Sequence, residues 1–362
     1  MEEPEWSENE GAYLISNLEE LNWMRNDLDN DYVLVNDIDA SETETWNGGK
    51  GWEGIGESYE VAFIGTFDGQ GYEISSLYIN ENSWYVGFFD RARGEIKNVG
   101  LVNVTVKGNS SRVGALIGRA MSGVVTNCYA TGKVAGEGKA GGLIGDWGGV
   151  VTDSYADVEV SGEYNIGGLI GSNSNKVVSC YATGDVTGEG NEPFKIGGLV
   201  GSNAYNYAEV SDSYATGDVD GYEKVGGLVG INSGIAAVID NSYATGLVTG
   251  EEEVGGLVGY NAPNPEGVFD SFCDMETTGQ ENAIGTEDEG GTSTNVEALP
   301  TEEMKDISTF EDAGWDIEIT SEGNPTSGYP FLSWQVNGGG HDNRRTSFRL
   351  RVRPLDRRRF RF

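Results

Sequence analysis

The sequence predicts an all-β chain, a right-handed parallel β-helix (β-solenoid) of about eight coils with small α-containing caps. Three observations carry that expectation. A short motif recurs in register over about half the chain, the recurring segments are rich in Val, Ile, Tyr and Thr, and glycine, 56 of 362 residues, interrupts them too often for helices.

The repeat is read directly. VGALIG at Val113 has relatives at Ala140, Ile166, Ile196, Val225 and Val254, and each is followed by a second signature: CYATGKV at Cys128, SYADVEV at Ser154, CYATGDV at Cys180, SYATGDV at Ser213, SYATGLV at Ser242 and a fading SFCDMET at Ser271. A degenerate earlier copy starts with VGFF at Val86 and runs into IKNVGLVNVTVKG at Ile96. A period just under ~30 residues of this composition suits a solenoid coil of two or three short strands joined by bends. One coil cannot bury its apolar side chains alone, so coils must stack at ~4.8 Å through parallel pairing, giving a rod of roughly 38 Å.

GGLVGxN, a short loop and SYATGxV together resemble the GLUG repeat of bacterial and archaeal surface proteins, also found upstream of the catalytic region in immunoglobulin A peptidases. The lead-in segments YLISNLEELNWM at Tyr13, YVLVNDIDAS at Tyr32 and FIGTFDGQGYEISSLYI at Phe63 resemble those of such proteins, as do GWDI at Gly314 and YPFLSWQ at Tyr329. The resemblance implies a noncatalytic, surface-exposed β-solenoid with adhesive or structural roles, in an extracellular or cell-surface location and with surface carbohydrate or protein as partner.

Four regions are expected: an N-terminal cap with lead-in strands (1–60), the repeat solenoid (61–272), a C-terminal cap (273–335) and a basic, flexible tail (336–362). Ser16 and Glu19 form a capping-box pattern ahead of Leu18, Leu21, Trp23, Met24 and Leu28, which predicts a closing helix. A short helix around Thr301 to Phe310, followed by Trp315, Tyr329, Phe331 and Trp334, predicts an aromatic plug at the other end. MEEPEWSENE lacks the basic start and apolar stretch of a signal peptide, so an export signal would have to lie upstream.

Charge is uneven. The segment Arg344–Phe362 holds nine Arg and one Asp, leaving 14 basic groups against 58 acids, or −44, in residues 1–343. Such a surface repels nucleic-acid phosphates and anionic lipid, and no apolar run approaches the ~18 residues of a membrane span. It suits molar salt, where the Debye length falls to ~3 Å and self-repulsion is screened, and so predicts a halophilic, archaeal source. An ordinary acidic secreted protein is the alternative. Asn103 and Asn109 sit in NVT and NSS triplets, candidate glycosylation sites on an exterior face.

The chemistry classes narrow quickly. The single histidine, His341, removes an HExxH zinc site and a Ser-His-Asp triad from the body. Gly136, Gly138 and Gly141 spell GxGxxG within a repeat turn with no helix to follow, and Asp27, Asp29 and Asp31 have EF-hand spacing without the sixth-position Gly or the closing Glu. No catalytic or metal residue is assigned and no cofactor is expected; calcium is left open without ligands.

In a solenoid, equivalent positions stack into columns. Asn173, Asn203, Asn232 and Asn261 form one, expected as a hydrogen-bonded amide ladder with a sugar-binding stripe as the alternative. Tyr129, Tyr155, Tyr181, Tyr214 and Tyr243, continued by Phe272, form another, for packing or, on an outer face, for carbohydrate. Cys128 and Cys180 share a position two coils apart, ~10 Å, too far for a disulfide. The enzyme alternative, a polysaccharide lyase or hydrolase, would use Glu159, Asp185 and Asp218, flanked in the column by Lys133 and Leu247, or a groove near Arg91, Arg93, Arg112 and Arg119.

Overall fold

The computed structural model describes residues 2–57, 60–109, 112–205, 207–263, 266–315 and 328–336. The tail Arg344–Phe362 and His341 lie outside the described residues.

Alternation sets the strands. In Tyr155–Gly162, Ala156, Val158 and Val160 are buried while Asp157 and Glu159 face solvent, the period-two pattern of a half-buried strand. One coil consists of five short strands: Lys176–Val178, Tyr181–Ala182, Val186–Gly188, Phe194–Gly197 and Val200–Ala204. The sequence led us to expect two or three. Single residues in the left-handed region, such as Ser179 (φ 56°) and Lys195 (φ 63°), bend the chain between or within strands and divide it more finely.

Successive coils pair in parallel with the repeat in register. Val151, Val177, Val210, Ile239 and Val268 stack in one fully buried column, and Ala156, Ala182, Ala215 and Ala244 in another. The result is a β-solenoid of about eight turns. The coil is thin, which explains the doubled glycine of the motif. A Cβ on Gly198 would stand 2.1 Å from the Gly227 carbonyl oxygen of the next coil and 3.0 Å from Ala215 Cβ across the interior, so the motif needs both a bare backbone and the Ala of SYATG.

Pairing extends past the motif copies at both ends. Tyr13 aligns with Tyr32 and Tyr32 with Phe67 upstream, and Phe272 aligns with Glu297 downstream. At the N-terminus Glu5–Ser7 pairs antiparallel with Ala12–Ile15, which occupies an edge that would otherwise template further strands. The helix Leu18–Trp23 buries Leu18 and Leu21. Its cap is one residue later than the expected Ser16/Glu19 pair: Asn17, extended at φ −151° and ψ 170°, accepts from the Glu20 N–H, and Glu20 reaches back to the Ser16 N–H at 2.7 Å. At the other end the expected single helix is two, Thr301–Met304 and Ile307–Asp312, because Asp306 leaves the helix to cap the second by accepting from the Ser308 N–H at 3.0 Å. Leu299, Met304, Phe310 and Tyr329 form a second apolar cluster with Tyr214, Tyr243 and Phe272. No helix among the described residues is long and apolar enough to cross a membrane.

Candidate functional site

The asparagine column lies wholly inside the coil. Asn173, Asn203, Asn232 and Asn261 are inaccessible to solvent, and each Nδ2 donates to the next Oδ1 at 2.9, 2.9 and 3.0 Å. Asn261 ends the series by donating to Glu287 Oε1 at 2.9 Å, and Asn173 also ties the following bend, accepting from the Asn175 N–H at 3.1 Å. Trp147 holds the preceding position in the column. With no solvent access, these amides offer no surface to a sugar.

The tyrosine column faces outward. Rings from Tyr129 to Tyr243 stack with centroids 4.7–5.0 Å apart and planes within 9° of parallel. The cap covers its lower part: Tyr243 donates to the Pro330 carbonyl at 2.6 Å, Gln335 donates to the Tyr214 hydroxyl at 2.7 Å, and Trp334 lies over Tyr181 at 5.5 Å. Tyr214 and Tyr243 are buried, whereas Tyr129, Tyr155 and Tyr181 stay half-buried. Tyr129 donates to Glu73, a reach made possible by Gly100, whose absent side chain would occupy the ring's place. Burial pushes the Tyr155 phenol up to about 12.

Cys128 and Cys180 are free thiols in a buried serine column. The Cys128 N–H donates to Ser154 Oγ and the Cys180 N–H to Ser213 Oγ, both at 3.1 Å. Burial pushes the Cys128 thiol up to about 12, which keeps it protonated and unreactive.

The acidic column is engaged in turns. Asp185 accepts the Asp218 N–H at 3.0 Å, Asp218 accepts the Leu247 N–H at 2.9 Å, and Glu159 pairs with Lys133 at 2.6 Å on an exposed face. Asp27 and Asp31 likewise accept hydrogen bonds within their own turn and from the Thr66 N–H, and no metal-holding group of side chains occurs among the described residues. Asn103 is exposed at a bulge with φ 55°, and Asn109 is exposed, its triplet running beyond the described residues.

Two features were not recognised in the sequence. On an outer corner Asn127 donates to Asn98, Asn98 to Asp68, Asn241 to Asp212 and Asn295 to Asp270, at 2.7–3.3 Å, all of these but Asp68 at positive φ. The signal was present, since the residue before each CYAT or SYAT is Asn, Asp or Ser, the types that best tolerate that backbone. The second is Asp146, on which Arg112, Arg119 and Lys139 converge at 2.9, 3.2 and 2.8 Å. Burial works against its charge, but Lys139 and Arg112 hold its carboxyl below the usual range. Arg91, Arg112 and Arg119 also surround the Tyr85 ring at 4.6–5.9 Å.

These columns define a repeat solenoid whose coils present one chemistry many times over. Residues 109–135, 162–187, 194–220 and 221–249 each match the GLUG motif, so the chain carries four copies of that motif within its solenoid. It is 40% identical over 138 residues to halomucin of Haloquadratum walsbyi, a match spanning 37% of this chain and 2% of halomucin. It is 37% identical over 125 residues to a candidate Gly-rich membrane protein of Evansella cellulosilytica, spanning 33% of this chain and 14% of that one. Among solved structures it resembles a candidate immunoglobulin A1 protease from Bacteroides ovatus, with TM-score 0.57, 23% identity and coverage of 89% and 92% of the two chains. A second, described as IgA1 protease, gives TM-score 0.50 at 15% identity, over 86% of this chain and 25% of that one. At these identities the likeness is one of fold.

Proposed function

We propose that the chain is a non-catalytic cell-surface or secreted repeat protein whose rod serves as an adhesion, binding or structural module in brine. The observation that carries this is the solenoid with its GLUG motifs, supported by the 40% identity over 138 residues to halomucin of Haloquadratum walsbyi. Regular coils repeat backbone-satisfying Asn, Ser and Asp rather than gathering unlike groups for acid–base work, and the carboxylates of Glu159, Asp185 and Asp218 are engaged in ion pairing or turns. On this reading 1–60 leads into the solenoid, 61–272 is its repeat body, 273–335 covers its end and 336–362 is a basic appendage.

Labelling of intact cells of the source organism with a membrane-impermeant amine reagent tests the location. The reading expects modification before lysis, and modification only after lysis overturns it. Salt tests the brine component: carboxylates on successive coils repel across ~4.8 Å, so the melting temperature should climb steeply from dilute buffer to molar KCl. A flat or falling melting temperature would remove it.

A further inference from the structure

Most of this surface is acidic, which makes the placement of its few bases informative. Elsewhere five of them stand one to one with carboxylates: Arg25 with Glu53, Lys50 with Glu81, Lys97 with Glu95, Lys133 with Glu159 and Lys176 with Glu209. Two adjacent columns break that rule. One runs Tyr85, Arg112, Lys139, Asn165, Lys195 and Lys224, each immediately before the first residue of the GG motif or its early counterpart. The other runs Arg91, Arg119, Asp146, Ser172 and Ser202 in register. Three cations share Asp146, and their side chains are only 16–25% exposed, so they lie against the coil rather than project into solvent.

The column continues past this cluster. Asn165 has a buried Oδ1 without a hydrogen-bond partner among the described residues. Lys195 enters none of their ion pairs; burial first, then the like charges of Lys224 and Lys139, lower its pKa, while Glu223 opposes. The ring of Phe194 beside it stacks on Tyr164 at 5.8 Å, a flat apolar face against the charges. At Lys224 the character reverses, because that ammonium is held by Glu223 and Glu253. The cationic run from Tyr85 to Lys195 therefore spans four coil steps, about 19 Å.

We propose that this cationic run binds a linear polyuronate, a polysaccharide carrying carboxylates and hydroxyls along one chain. Half-buried cations exceeding their local carboxylates favour an anionic ligand, and guanidinium groups match carboxylates in hydrogen-bond geometry. The ring of Phe194 suits the apolar face of a sugar ring. A duplex nucleic acid would lay its second strand of phosphates on the acidic surface beside the run, whereas a single polysaccharide chain follows the run alone. The inference rests on the surface-protein reading for its biological setting and on these side chains for its chemistry.

Calorimetric titration of the full chain in 1 M KCl with polygalacturonate tests it, with neutral dextran, dextran sulfate and duplex DNA as comparison probes. Expected are binding of polygalacturonate and none of dextran. Lys195→Gln should weaken binding about tenfold and Arg119→Gln more, with Lys133→Gln, an equal charge change on an exposed pair, within twofold. No polygalacturonate binding, equal losses from Lys133→Gln and Lys195→Gln, or tighter binding of dextran sulfate or DNA each overturns the proposal. If Arg119→Gln does not fold, Lys195→Gln, which removes no ion pair seen here, still decides. A surface-labelled chain that ignores polygalacturonate refutes this inference alone, whereas a chain labelled only after lysis refutes the surface reading whatever it binds.

Discussion

The asparagine column from Asn173 to Asn261 and the tyrosine column from Tyr129 to Tyr243 arise from the same coil repeated in the same register, yet they are held in different ways. Each amide inside the coil finds its partner in the identical residue one step along, so the column satisfies itself and Glu287 closes it. A phenol stacked on a phenol gains ring contact but no hydrogen-bond partner from the stacking. The tyrosines depend on what lies beside them: Glu73 at one end, Gln335 and the Pro330 carbonyl at the other. A repeated residue thus gives structural independence when its own donor and acceptor are complementary along the axis, and otherwise requires a cover.

Breaking the inner column should cost most. Asn203→Ala removes a donor and an acceptor from the middle of a dry ladder and leaves a cavity, so we expect a loss of about 4 kcal/mol in chemical denaturation in molar KCl. A loss below ~1 kcal/mol would mean that water or a shifted neighbour replaces the amide. Tyr214→Ala comes next, at about 3 kcal/mol, since it removes a buried ring stacked on both faces and the anchor for Gln335. It should also make the segment near Trp334 sensitive to limited proteolysis, which Asn203→Ala in a still-folded sample should not.

Trp334→Ala sharpens the contrast from the cover's side. It removes a half-buried ring and its hydrogen bond to the Ser179 carbonyl, and should cost about 1–2 kcal/mol while leaving the circular dichroism of the solenoid unchanged. Loss of strand signal would show that the cap supports the whole rod.

The smallest expected effect depends on pH. Burial, aided by Asp270 and Asp212, raises the Asp240 carboxyl to about 7, and its Oδ1 is buried without a partner among the described residues. Between about pH 4 and 7 the folded chain therefore holds a proton that the unfolded chain has released, and this group's contribution to stability falls as pH rises through that window. Asp240→Asn removes the dependence. It should be roughly 1 kcal/mol more stable than the parent at pH 8 and equal to it near pH 4, by melting at the two pH values, the figure being reduced for partial solvent screening. An advantage that is the same at both pH values would refute the assignment.

Much of this was legible in the residues. The spacing of GGLVG and SYATG, the columns of Asn and Tyr, and the shared, unbridged position of Cys128 and Cys180 were all visible there, because a solenoid turns distance along the sequence into height along one axis. The capping pair moved by one residue because Asn17 and Ser16 are both competent caps and only the backbone angles choose between them. The number of strands in a coil was underestimated because single left-handed residues cut strands without changing the hydrophobic pattern.

The sequence by itself determined the period, the parallel stack and which positions repeat, since alternation and turn residues are local properties that each copy states again. Only the tertiary structure decided which columns are buried and which are covered, because that depends on how a coil closes and where the last segment returns. Gln335 meets Tyr214 across 121 residues, and Arg112 meets Asp146 across 34. Neither separation belongs to the repeat: the first is set by the return of the cap along the rod, and the second by coil closure, which brings non-equivalent positions on neighbouring ladders face to face.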